Sequence, residues 1–109
     1  MIYKEISLTS GSQNDLRTEL LFNIASERAS GVQLLRLQID TEENRDKMFS
    51  CLMRMLRSLK SSGAVQLYAN GVSFESGSRE AEYLINKYSD IIGDGENISI
   101  PQFCAYVRL

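Results

Sequence analysis

A chain of 109 residues, 43% hydrophobic and 24% charged, has the size and balance of one compact globular domain over residues 1–109. Its formal net charge of −2 gives no global attraction to nucleic acid or to an anionic membrane. Histidine is absent, which removes the usual general base near neutral pH and the commonest metal ligand.

In chain order, Ile2 to Thr9 alternates as a strand, with Ile2, Lys4, Ile6 and Leu8 on one side and Tyr3, Glu5 and Ser7 on the other. Ser10-Gly11-Ser12 breaks it. Ser12 followed by Asp15 reads as a variant capping box, with Asn14 as the alternative cap. A helix then runs to about Ala29. Its apolar stripe is Leu16, Leu20, Leu21, Ile24 and Ala25, and Arg17, Glu19, Glu27 and Arg28 carry solvent-facing charge. Gly31 suits the left-handed stop.

Val32 to Ile39 is the clearest strand. Leu35, Leu37 and Ile39 share one side, and Leu34, Arg36 and Gln38 the other. A central strand covered on both faces would be apolar throughout, so this alternation favours helices on one face and an open second face. Asp40 with Glu43 is a plausible cap for a second helix, whose stripe is Met48, Phe49, Leu52, Met55, Leu56 and Leu59. Arg54, Arg57 and Lys60 form an acid-free basic patch on that helix before Ser61-Ser62-Gly63 ends it.

Asn70-Gly71 between Val65–Ala69 and Val72–Glu75 predicts a tight hairpin, because Asn-Gly tolerates positive φ at both central positions. A third helix is expected over Arg79 to Ile91, capped by Ser78, and a last strand over Phe103 to Leu109. The order is β-α-β-α-β-β-α-β. The expected fold is α+β (mixed α/β): a two-layer sandwich with a mixed sheet of about five strands and three helices mainly on one face. The predicted core unites Leu35, Leu37, Phe49, Leu52, Leu56, Leu67, Leu84 and Val107.

Catalytic and cofactor chemistry is sparse. Cys51 and Cys104 form no zinc motif and read as free thiols, so the cytoplasm is the expected compartment. Asp90, Asp94 and Glu96 lack the alternating ligand pattern of a calcium loop. Ser10-Gly11-Ser12 is not a phosphate loop, and Ser76 and Ser78 have no base beside them. No apolar run approaches the roughly 20 residues needed to cross a bilayer. No signal peptide is visible. No metal or cofactor is therefore expected, and the sequence points away from an enzyme, though a histidine-free one stays open as an alternative.

The open sheet face carries the functional expectation. It should display Tyr3, Arg36, Gln38, Tyr68, Tyr106 and Arg108, with Glu5, Leu34, Gln66, Ser73 and Glu75 around them. Tyrosine and arginine are enriched where proteins bind proteins. They can also stack nucleobases and pair phosphates. The acids on that face and the acidic balance favour protein. The expectation is a small non-enzymatic interaction or regulatory protein, self-associating through the sheet face or edge, with single-stranded RNA binding as the alternative.

Overall fold

The computed structural model describes residues 2–68 and 102–109. Among them the elements are β1 (Tyr3–Leu8), α1 (Gln13–Ala29), β2 (Leu34–Ile39), α2 (Arg45–Ser61), β3 (Gln66–Tyr68) and β4 (Cys104–Arg108). The fold is α+β with a mixed sheet. The predicted turn at Asn70-Gly71, the strand to Glu75, the helix from Arg79 to Ile91 and the acidic stretch from Asp90 lie outside the described residues, as does Leu84.

Four strands pair in the order β1-β2-β4-β3. β1 runs parallel to β2, and β4 is antiparallel to both β2 and β3. The first crossover therefore joins adjacent parallel strands. The second joins β2 to a parallel β3 with β4 inserted between them. The expected parity holds: Leu35, Leu37, Ile39, Leu67, Ala105 and Val107 share a core with Leu16, Leu20 and Ile24 of α1 and Met48, Leu52 and Leu56 of α2. Phe49 packs on that core from a half-buried position. Leu35 opposes Val107 and Leu37 opposes Ala105 across the central pair.

Helix α1 starts where its cap dictates. Ser12 is extended, and its hydroxyl accepts a hydrogen bond of 3.2 Å from the Asp15 amide. It ends at Ser30, with Gly31 at φ 83°. The expected helix faces need three corrections. Leu21 is 47% exposed and Ala25 is exposed, whereas Glu27 is buried. A charged side chain can occupy that place because the Lys4 ammonium, reaching across from β1, donates to its carboxylate at 2.7 Å.

Helix α2 begins later than Asp40 and Glu43 imply. Its N-cap is Asn44, in the left-handed conformation at φ 57°, with no side-chain cap bond. Arg45 instead ties the turn down, its Nε donating to the Thr41 carbonyl at 2.9 Å. Phe103 enters β4 with φ 62°. Such a conformation costs an aromatic residue about 1–3 kcal/mol and persists only when its surroundings over-determine it. Here the Phe103 carbonyl accepts from the Ile39 amide at 3.0 Å. Its ring also meets Phe49 edge-on at 5.8 Å and lies 5.5 Å from the Arg45 guanidinium.

Candidate functional site: the Arg36 face of the sheet

Strand register decides which polar side chains become neighbours. Glu5 opposes Arg36, Arg36 opposes Tyr106, and Tyr106 opposes Tyr68, so one row crosses all four strands. The adjacent row runs Tyr3, Leu34, Arg108, Gln66. Gln38 opposes Ser7 on one side and Cys104 on the other. All of these positions have the parity opposite to the helix-covered core.

Arg36 is the centre of this arrangement. Its side chain is only 17% exposed and meets groups on both neighbouring strands, β1 and β4. Nη1 lies 3.7 Å from the Glu5 carboxylate. Nη2 donates to the Cys104 sulfur at 3.5 Å, and the guanidinium carbon sits 5.9 Å from the centre of the Tyr106 ring. Glu5 also accepts from the Tyr3 hydroxyl at 2.9 Å. Burial works to lower the Arg36 pKa. The hydrogen bond to Cys104 and the fields of Tyr106, Cys104 and Tyr3 outweigh it and hold the pKa above the ordinary arginine value. The guanidinium is thus a permanent cation whose donors already face protein groups.

The expectation of an open face is met only at its borders. Gln38 and Arg108 are exposed and Tyr3 is half-buried. Leu34, Cys104 and Tyr106 are completely buried. Tyr106 therefore presents no ring to a partner, contrary to its predicted role as a contact residue. Its burial on the same parity as a charged Arg36 is something alternation cannot reveal, because period-two patterning assigns a side but not what covers it. Tyr68 occupies its expected register position; its side chain lies outside the described set. The structure thus brings Tyr3, Arg36, Gln38 and Arg108 onto neighbouring strands, with the buried Tyr106 ring packed against Arg36.

The second predicted patch lies on the helical layer. Arg54, Arg57 and Lys60 are exposed on α2. Arg54 folds back so that its Nη2 donates to the buried Cys51 sulfur at 3.2 Å. Both cysteines are buried and free. Among the described residues no three metal-ligating side chains gather, and no helix is long and apolar enough to cross a membrane. Sequence reasoning missed Phe22, 70% exposed on α1, whose signal was an aromatic lying outside the helix's apolar stripe. The chain matches no family model, no curated protein and no solved structure.

Proposed function

We propose that this chain is a small non-enzymatic interaction module that associates with protein, in the first instance a second copy of itself, through the rim of the Arg36 sheet face. The observation that carries this reading is the Tyr3–Glu5–Arg36 network. It is a preassembled polar surface whose central side chain is immobilised by Cys104 and Tyr106. Pre-ordered side chains lose less entropy on binding than free ones. Tyr3, Glu5, Gln38 and Arg108 supply the accessible contacts around it.

The arrangement favours protein over RNA. A phosphate would have to displace the Glu5 carboxylate from the most ordered cation on the face. The face is favoured over the β1 edge for a separate reason. Lys4 is a charged residue on the core-facing side of that strand, a device that discourages strand addition. A reducing compartment such as the cytoplasm suits two free, buried thiols, and the absence of histidine from the chain supports the non-enzymatic reading.

Sedimentation equilibrium of the wild type and of a Tyr3→Ala, Gln38→Ala double variant tests the proposal. The wild type should dimerise with little salt dependence, and the variant should shift towards monomer while keeping its thermal midpoint. A wild type that stays monomeric at all concentrations overturns it. Saturable binding of single-stranded RNA that falls steeply with salt would replace it with the nucleic-acid reading.

A further inference from the structure

A groove of about 420 Å³ runs between α1 and α2, on the layer opposite the Arg36 face. Leu20 and Cys51 form its buried floor, Met55 and Leu59 its half-buried wall, and Leu21 its exposed lip. Arg17 from α1 and Arg54 from α2 also line it; Nη2 of Arg54 donates to the Cys51 sulfur, and the rest of its exposed guanidinium is left to face an occupant. Beside it, α2 carries Lys47, Arg54, Arg57 and Lys60, all exposed, with no acidic residue from position 47 to its end. On α1, Glu19 accepts from Ser10 and Glu27 from Lys4, so these acids are already engaged elsewhere. The helices are tied together at one end by Arg28, whose Nη2 donates to the Ala64 carbonyl at 2.6 Å.

We infer that this groove is a docking site for an acidic amphipathic helix of a partner protein. Three features select that occupant. The floor lies below the helix crests, so only projecting side chains reach it, and leucine-type anchors at i, i+3, i+4 and i+7 do so. The rims are cationic on both sides, so the flanks of the occupant carry aspartate or glutamate. The groove is open to solvent and reaches exposed Leu21. A single acyl chain there would stay largely in water, whereas small-ligand sites bury most of their ligand. A flat anionic bilayer or a phosphate backbone would satisfy the arginines but leave the Leu20–Cys51 floor unused. Met55 lends the wall adaptability. The inference is independent of the sheet-face proposal, since the two surfaces lie on opposite sides of the sheet.

The test uses fluorescein-labelled helical peptides about as long as α1, with leucines at groove spacing and glutamate flanks, read by anisotropy. A twin with lysine flanks and a glutamate peptide with alanine in place of leucine serve as controls. The glutamate–leucine peptide should bind saturably, and both controls should bind at least about tenfold more weakly. Arg17→Glu with Arg54→Glu should weaken the glutamate peptide about tenfold and strengthen the lysine twin. Loss of fold cannot produce that exchange. Leu21→Asp, at a residue already exposed, should weaken both peptides. Tyr3→Ala with Gln38→Ala should leave peptide binding unchanged even if it abolishes dimerisation. No saturable peptide binding, equal binding of all three peptides, or displacement of the peptide by phosphatidylserine vesicles or polyuridylate overturns the inference.

Discussion

On the helix side of the sheet, Leu35, Leu37, Ala105 and Val107 share an apolar core with Leu16, Leu20, Leu52 and Leu56, with the Lys4–Glu27 pair near the β1 edge. On the other side, Leu34, Cys104 and Tyr106 are buried just as deeply, but they share their surface with Arg36, Glu5 and Tyr3. The first layer is held by transfer out of water and by close packing, which are non-directional. The second adds directional contacts that tolerate fewer exchanges, because a charge left without its partners is costly. The same strands thus build one face for stability and another whose polar order suits recognition.

The largest effects should come from matched truncations on the two sides. Leu37→Ala and Leu34→Ala each remove a fully buried leucine. Each should cost about 2–5 kcal/mol in urea unfolding. If Leu34→Ala costs less than about 1 kcal/mol while Leu37→Ala keeps its cost, the second face does not behave as core.

Lys4→Met should cost about 1–3 kcal/mol, because it strands the buried Glu27 carboxylate. Combining it with Glu27→Gln should recover much of that loss. No recovery would mean that the loss does not come from the uncompensated Glu27 charge.

A double-mutant cycle on Glu5 and Arg36 should return a coupling below about 1 kcal/mol, since Glu5 is about half exposed at 3.7 Å. A larger value would make the pair a principal prop of the face.

The pH dependence follows from the raised Arg36 pKa. A cation with a raised folded pKa gives stabilisation that is fully present below its ordinary pKa and lost only as pH climbs through the folded value. The stability difference between wild type and Arg36→Met should therefore stay constant from about pH 6 to about pH 9. A slope in that window would assign the titration to another group.

The smallest effect belongs to Thr41. Its hydroxyl oxygen is buried with no hydrogen-bond partner among the described residues. Thr41→Val, which keeps the shape, should be neutral or stabilising by up to about 1 kcal/mol in the same urea assay. A clear loss would show that the hydroxyl is bonded in solution.

The groove between the helices was partly foreshadowed. Arg54, Arg57 and Lys60 stood out as a basic run, and Arg54 alone of them lines the groove, whose apolar residues were read as core. Leu21 shows why. Its spacing from Leu16, Leu20 and Ile24 places it at the border of the helical stripe, and only the angle at which α2 crosses α1 decides whether such a border residue is buried. Glu27 is the converse case, a charge at a border position drawn inward by Lys4.

By itself the sequence determined the period of each described strand and helix, the Ser12 cap and Gly31 stop of α1, and which side of each strand faces the helices. These are local properties, written in spacings of two and of three to four residues and in the conformational freedom of single residues. Tertiary structure alone decided that β4 enters the sheet between β2 and β3, that Tyr106 is buried against Arg36 rather than at the surface, and that Arg17 and Arg54 line one groove between the helices. Those outcomes depend on contacts between segments far apart in the chain, and no local period encodes which distant segment will arrive.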